Sequence, residues 1–278
     1  MSRTEPSSHP ADDSTGVSAG RPSRRGVTLI PREHGVYAEV GFPIFTALWI
    51  GHWSPGGICF AIAIIAAFLM HEPVLVLLGR RGGRVKTNLG SQAKRQLLLL
   101  APVVLACGLI GLWRAEADVR LAFLLLVPVT VPLAFLIVTK QEKTFFGESF
   151  VALVLSLASV PVTMAGGADL IVAVAAAAAW TAAFVTSTAT VHAILTRSKR
   201  HTDVPTTIVA ALALLVAVGA VVAFMLGGPV PLLALVPAPL VAFGVITARL
   251  PVRRLRTLGW WLVAGNFATA ILLVVTLA

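Results

Sequence analysis

The stretch GICFAIAIIAAFLMHEPVLVLL, residues 57–78, indicates the class of fold. Glu72, close to its end, is the only acid in the stretch, which contains no Lys or Arg. A helix that rises 1.5 Å per residue needs about 20 apolar residues to cross a hydrocarbon core of about 30 Å. Because that core holds no water to bond free peptide groups, a crossing segment must be helical. Residues 57–78 therefore predict a transmembrane helix.

The same kind of stretch recurs along the whole chain. Of its 278 residues, 57% are hydrophobic and 12% are charged. Soluble domains carry about 25% charged residues, so a water-soluble enzyme is excluded. We expect an all-α, polytopic membrane bundle of nine transmembrane helices, with proline kinks in the fourth and the eighth. The nine stretches are 36–53, 57–78, 96–113, 119–138, 148–165, 169–195, 204–226, 230–248 and 258–278.

The placement of Lys and Arg predicts the orientation, because cytoplasmic loops collect these residues. If the N-terminus is cytoplasmic, 20 of the 22 Lys and Arg residues fall on the cytoplasmic side. The two on the other side are Arg114 and Arg120. We therefore expect a multi-pass protein of the cell (plasma) membrane, with the N-terminus cytoplasmic and the C-terminus outside.

The net charge of +10 is thus a signal of topology, and we expect the lipid bilayer rather than nucleic acid as partner. Residues 1–30 are rich in Ser, Pro, Gly and Arg, which predicts a disordered cytoplasmic tail rather than a cleaved signal peptide. Residues 31–278 are expected to form a single transmembrane domain. Cys59 and Cys107 lie within spans without CxxC spacing, so neither a disulfide nor a metal site is indicated.

Ionisable side chains inside or bordering spans are costly, so each is a candidate for function. Proline and a carboxylate favour a helix start, which alone accounts for Pro31 and Glu33. That interpretation does not explain His34, which precedes Gly35, or Glu39, which lies deeper in the span. The ligand-binding candidates of this first group are Arg32, Glu33, His34, Tyr37 and Glu39.

A second group of candidates surrounds the end of the second span. His71 and Glu72 match the first two positions of the zinc motif HExxH, but position 75 is Leu, so a zinc site of this kind is excluded. The alternative to a functional role is that these residues cap the helix end at the membrane interface. Residues 79–88 predict a flexible cationic loop that meets phosphates or lipid headgroups, although retention of topology also explains its charge. The loop lacks the pattern of a nucleotide-binding P-loop. Its candidate ligands are Arg80, Arg81 and Arg84.

Two further groups lie at the same predicted depth, on the cytoplasmic side. They comprise Lys140, Lys143, Glu148, His192 and Arg197. Together the four groups predict a water-accessible cavity that binds an anionic or phosphorylated headgroup, with histidines able to carry protons near neutral pH. Hydroxyl residues near His192 can equally bond the backbone, and Asn266 in the ninth span is expected to bond a neighbouring helix.

Residues 31–37, PREHGVY, resemble the (K/R)EHGAW signature of YwiC-like membrane proteins. His71-Glu72-Pro73, followed by an apolar run and an Arg-rich stretch, resembles that family's REPL element with His in place of Arg. By layout the resemblance extends over residues 28–278. It implies a membrane protein, and since the family has no established activity, it implies no particular reaction.

The layout also resembles, more distantly, the UbiA prenyltransferase superfamily, which has nine helices and ligand residues at their cytoplasmic ends. Its members ionise a prenyl diphosphate through Mg²⁺ held by two Asp-rich motifs. The corresponding places here offer Glu72 and Asp203 without a DxxxD. Because Mg²⁺ needs clustered carboxylates, we predict neither Mg²⁺ nor another cofactor, and any enzyme is expected to be a divergent UbiA-like prenyltransferase.

Three functions therefore compete, and no catalytic residue is assigned. The first is the binding or modification of a phosphorylated or prenyl-type lipid. The second is a secondary transporter of a small solute, which Glu39 and the histidines would couple to protons as a relay. The third is a non-catalytic accessory subunit. The scarcity of polar groups within the spans favours the first.

Overall fold

A computed structural model of the chain describes residues 34–139, 141, 143–249 and 254–278, apart from the side chains of residues 34–36 and 255. The predicted tail at residues 1–30 lies outside the described residues. Within them no strand occurs, and the prediction of an all-α bundle is confirmed. The helices are α1 (His34–Ile50), α2 (Pro55–Leu77), α3 (Gly83–Arg114), α4 (Ala117–Val138), α5 (Phe145–Leu157), α6 (Ser159–Ala165), α7 (Leu170–Arg200), α8 (Val204–Met225), a 3-10 helix (Val230–Leu235), α9 (Pro237–Thr247) and α10 (Leu255–Leu277).

These helices make a polytopic bundle. In the described part of the chain, eight helical stretches of at least 18 residues are apolar enough to cross a bilayer, and Tyr37–Ile50 is a shorter apolar helix. Their order follows the nine predicted spans. Two of the stretches are composite: α5 and α6 form Phe145–Ala165, while the 3-10 helix and α9 form Val230–Thr247.

Prolines explain both composite spans. Pro161 lies in the first turn of α6, and a proline ring clashes with the carbonyl group four residues earlier, which here belongs to Leu157. Pro237 begins α9, in the position that proline favours. The eighth span is therefore broken where its prolines predict a kink, whereas α4 is one helix that includes Pro128 and Pro132.

The prediction of a flexible loop at residues 79–88 is wrong from Gly83 onward. The chain turns at Gly79 and Gly82, whose φ angles of 73° and 100° lie in the region that glycine tolerates best. The helix α3 already begins at Gly83. Six of the ten residues 79–88 are therefore helical.

An apolar face on α3 accounts for this difference. Val85, Leu89 and Ala93 recur every four residues and pack against Val76 and Leu77 of α2. The first turns of α3 thus have a stripe to bury, which stabilises them as helix. The cations of this segment occupy the remaining, exposed faces of the helix.

The bundle has an interior and a lipid-facing perimeter. In the crossing segments of α3, α4 and α8, only 11%, 6% and 17% of residues are buried, against 50% for α5 with α6 and 39% for α7. The apolar side chains of α3, α4 and α8 are therefore placed to face lipid, and α5, α6 and α7 form much of the interior.

Trp180 joins α7 to α1 in that interior. Its fully buried Nε1 donates a 2.9 Å hydrogen bond to Thr46 Oγ1. Its ring stacks on Phe42 and Phe184, with ring centroids 5.6 and 5.2 Å apart. The indole N–H of Trp180 thus has a hydrogen-bond partner within the protein interior, as a buried indole usually does.

Backbone contact fixes the end of the bundle at which α1 meets α2. A Cβ atom at Gly51 would overlap the carbonyl oxygen of Thr163, and one at Gly166 would overlap that of Gly51. Ser54 Oγ also donates a 2.7 Å hydrogen bond to the carbonyl oxygen of Ala165. The α1–α2 turn and the end of α6 therefore approach as closely as glycine permits.

We predict that Gly51→Ala destabilises the folded protein by about 1–3 kcal/mol, the usual effect of forcing atoms into a packed site. Thermal unfolding of the purified protein in detergent, followed by tryptophan fluorescence, measures the change. Gly219→Ala on α8 is the matched control, because nothing lies within 4 Å of its added Cβ. Equal melting temperatures for Gly51→Ala and the wild type would contradict the close approach.

Candidate functional site

Two of the predicted site residues meet between α5 and α7. Glu148 lies in the first turn of α5, which Thr144 caps by accepting a 3.0 Å hydrogen bond from the backbone N–H of Gly147. His192 lies about two turns before the end of α7. The Nε2 atom of His192 is 2.8 Å from Oε2 of Glu148.

The pair is accessible and its imidazole is oriented. The side chain of His192 is 33% exposed and that of Glu148 is 44% exposed. The ring of Phe145 meets the imidazole edge to face, with centroids 5.8 Å apart. A carboxylate at one imidazole nitrogen fixes the ring and leaves the other nitrogen, Nδ1, to face a ligand. This arrangement presents a proton donor or acceptor in a defined position.

Two hydroxyl groups at the same end are buried without a hydrogen-bond partner in the described part of the chain. They are the phenol of Tyr37 on α1 and Oγ of Ser149 on α5. The ring of Tyr37 packs edge-on against Phe68 of α2, with centroids 6.2 Å apart. An unsatisfied buried hydroxyl costs about 1–3 kcal/mol. Such groups therefore call for a ligand or ordered water as partner.

Glu72 and Arg81 pair at the corner between α2 and α3. Arg81 donates to both carboxylate oxygens, from Nη2 to Oε1 and from Nε to Oε2, the latter over 3.1 Å. The Glu72 side chain is only 16% exposed. The pair bridges the end of α2 and the turn before α3, which gives Glu72 a structural role. Arg80 and Arg84 nearby are exposed.

The other predicted residues are spread over several elements. Glu39 on α1 and His71 on α2 are partly buried, Arg197 is partly buried in the last turn of α7, and Lys143 is exposed before α5. A cation in the last turn of a helix is favoured by the helix dipole, so Arg197 also has a structural explanation. Outside the described residues lie Arg32, Glu33, Lys140 and the side chain of His34.

Sequence reasoning missed Phe145 and Ser149. The helical spacing contains the signal that would have found them, since residues three or four apart share a face. Phe145 stands three residues before Glu148 and four before Ser149. A search for neighbours of Glu148 on the first two turns of α5 would have selected both.

A second polar feature lies in the middle of α10. Asn266 is 5% exposed and Thr269 is fully buried. Within the described residues, neither Asn266 Oδ1 nor Thr269 Oγ1 has a hydrogen-bond partner. The interhelical bond expected of Asn266 is therefore not made by its oxygen.

Glu39 lies at nearly the same depth as Asn266. The ring of Phe42 on α1 is 6.4 Å, centroid to centroid, from that of Phe267 on α10. Glu39 is one helical turn from Phe42, and Asn266 adjoins Phe267, so their levels along the bundle differ by less than about one turn.

A polar hollow of about 290 Å³ occupies the opposite end of the bundle. Arg114, Glu116, Asp118 and Asp169 contribute to its lining, and no predicted site residue does. Among the residues that the structure describes, no three His, Cys, Asp or Glu side chains are placed to hold a metal ion. The hollow therefore gives no candidate metal centre.

The helices and their apolar surfaces define a multi-pass integral membrane protein. The family model described as YwiC-like protein matches residues 30–164, slightly less than half of the chain, so this part is similar to that family. The match includes Glu148 and ends before His192. Neither the curated proteins nor the solved structures contain a match to the chain.

Proposed function

We propose that this chain is a plasma-membrane protein of the YwiC-like type that binds the headgroup of a phosphorylated or prenyl-type lipid. In this proposal the N-terminus is cytoplasmic, the C-terminus is outside, and the binding site faces the cytoplasm. The observation that carries it is the 2.8 Å contact between His192 and Glu148, with both side chains partly exposed.

The charge at this end of the bundle favours an anionic partner. Of the Lys and Arg residues that the structure describes, all except Arg114 and Arg120 lie on segments at the end that holds His192. Acids there are partly neutralised: Glu72 pairs with Arg81, and Asp203 Oδ2 lies 3.9 Å from Nη2 of Arg249. The surplus of positive charge attracts phosphate and anionic headgroups.

Each group of the site has a defined role in the proposal. Arg80 and Arg84, exposed at the α2–α3 corner, attract the headgroup. Glu148 orients His192, whose free Nδ1 donates to a phosphate oxygen when protonated. The buried hydroxyl of Ser149 gives a further donor beside the pair. Arginine and imidazolium donors bind phosphate strongly because such hydrogen bonds are charge-assisted.

We propose that this binding needs no Mg²⁺. A Mg²⁺ site requires carboxylate oxygens with room for a diphosphate, and Glu72 is occupied by Arg81. If the protein also modifies the lipid, a divergent UbiA-like transfer is the reaction class that the helical layout favours, with His192 as its acid or base.

We predict that wild-type protein purified in mild detergent retains a phosphorylated or prenyl-type lipid and that His192→Ala retains about tenfold less. The reason is the loss of one charge-assisted hydrogen bond of about 1.5 kcal/mol. Quantitative lipid mass spectrometry measures the retention. His201→Asn is the matched control, because His201 is an exposed residue beyond the same end of α7 whose positive φ asparagine tolerates.

Glu148→Gln separates orientation from charge. It keeps a hydrogen-bond acceptor for the imidazole but removes the carboxylate, so retention is expected to fall between the wild type and His192→Ala. Equal retention by the wild type and His192→Ala, or no enrichment over an unrelated membrane protein, would remove the proposal.

A second candidate function is proton-coupled transport of a small solute. The polar residues near mid-membrane favour it: Glu39 and Asn266 lie within about one turn in depth, and Thr269 is about one turn beyond Asn266. Asn266 Oδ1 and Thr269 Oγ1 are buried without partners among the described residues. Polar groups near the bilayer midplane are the usual places of coupling-ion sites in transporters.

Proton flux into proteoliposomes, followed with an entrapped pH-sensitive dye, tests this candidate. A relay predicts flux above that of protein-free vesicles, lost in Glu39→Gln and reduced in Asn266→Leu. Thr247→Val on α9 is the control, because that hydroxyl is exposed and bonds only backbone carbonyls among the described residues. Flux that is absent, or equal in Glu39→Gln, would eliminate a proton relay through Glu39.

A further inference from the structure

An apolar groove lies between α5 and α7. It has a volume of about 390 Å³, within the range of about 300–1,000 Å³ usual for small-molecule sites. Thr181 gives its lining one hydroxyl, and that hydroxyl donates to the carbonyl oxygen of Ala177 over 2.9 Å. The groove therefore has an apolar surface with its polar group already satisfied. Its lining residues are Leu153, Leu157, Val174, Ala178, Thr181, Ala182 and Val185.

The α7 wall of the groove continues toward the candidate site. Val174 and His192 are 18 residues apart, which is five turns of an α-helix, so they lie on the same face. Val185, at the inner limit of the groove, precedes His192 by seven residues, or about 10 Å along the helix. The groove itself extends over about 16 Å, from Val174 to Val185.

The α5 wall reaches the same point. Leu157, Leu153, Ser149 and Phe145 recur every four residues, so they form one stripe of the helix. At its inner end, Phe145 meets the His192 ring, and Ser149 Oγ is buried without a partner in the described part of the chain. Both walls of the apolar groove therefore lead to the polar end that carries Glu148 and His192.

Resting on the proposed function, we infer that this groove binds the single apolar chain of the lipid whose headgroup lies at Glu148 and His192. The groove is in the membrane-crossing part of both helices and is partly open, with Val174 and Ala178 exposed. Its surroundings in a bilayer are thus hydrocarbon. A molecule with a chain along the groove and a polar head at its inner end matches both surfaces.

The shape of the groove suits an extended hydrocarbon chain. The small side chains of Ala178 and Ala182 form the depression on α7, between the larger Val174 and Val185. Inside a bilayer the hydrophobic effect does not favour a chain in the groove over a chain in bulk lipid. Binding in the groove therefore depends on van der Waals packing. A depression about 16 Å long offers that packing to one extended chain. The head then gives Ser149 the hydrogen bond that it lacks.

The experiment uses geranylgeranyl monophosphate with a photoreactive diazirine at the end of its chain, added to the full-length protein in nanodiscs. Peptide mass spectrometry after illumination locates the labelled residues. We expect saturable labelling of the groove residues of α5 and α7. Ala178→Trp fills the groove and is expected to reduce this labelling about tenfold, because the chain loses about ten van der Waals contacts.

Two further variants keep the test interpretable. Ala182→Leu fills the groove less and is expected to give a smaller reduction if Ala178→Trp folds poorly. Ala211→Trp adds the same bulk at an exposed site on α8 and is expected to leave labelling unchanged.

The outcomes distinguish the groove from the headgroup site. If His192→Ala reduces labelling while the groove variants do not, or while the labels map outside the groove, the inference about the groove is overturned and the headgroup site stands. If the groove variants reduce labelling and His192→Ala does not, the groove binds a chain but the proposed function is wrong. Labelling that does not saturate and spreads over α3, α4 and α8 indicates bulk lipid only and overturns both.

Discussion

The absence of water from the bilayer core is the constraint on which the rest of this structure depends. It requires every crossing segment to satisfy its backbone internally, and helices do so even where prolines divide a span, as at Pro161 and Pro237. It also makes each buried polar side chain costly. Trp180 and Thr46 meet that cost by bonding each other across α1 and α7. The polar atoms left without partners among the described residues are therefore informative about function.

Those polar atoms fall into two groups. Ser149 accompanies the accessible Glu148–His192 pair at the cationic end, whereas Asn266 and Thr269 lie in the middle of α10. The first group suits a headgroup, because charge and access coincide there. The second suits a coupling-ion site, because it is enclosed and Glu39 lies within about one turn of Asn266 in depth. Lipid binding and transport are therefore two distinct proposals with different decisive residues.

Hydropathy and charge predict much of this architecture and little of the site. Residues 57–78 and the other apolar stretches predict the spans because crossing length is a local property. The segment 79–88 is wrongly predicted, since the stripe of Val85 and Leu89 that makes it helical has meaning only against α2. The contact between Glu148 and His192 joins residues 44 positions apart, and no local pattern specifies which faces of α5 and α7 meet.

We propose that the end of the bundle carrying His192 faces the cytoplasm. Lys86 is exposed in the first turn of α3, and Glu116 is exposed two residues after the end of that helix. The two positions therefore report the two sides of the membrane. In a background with Cys59→Ala and Cys107→Ala, the Lys86→Cys and Glu116→Cys variants are treated in intact cells with a membrane-impermeant maleimide. We predict labelling of the Glu116→Cys variant and protection of the Lys86→Cys variant until the cells are opened. The reverse labelling pattern would contradict this orientation.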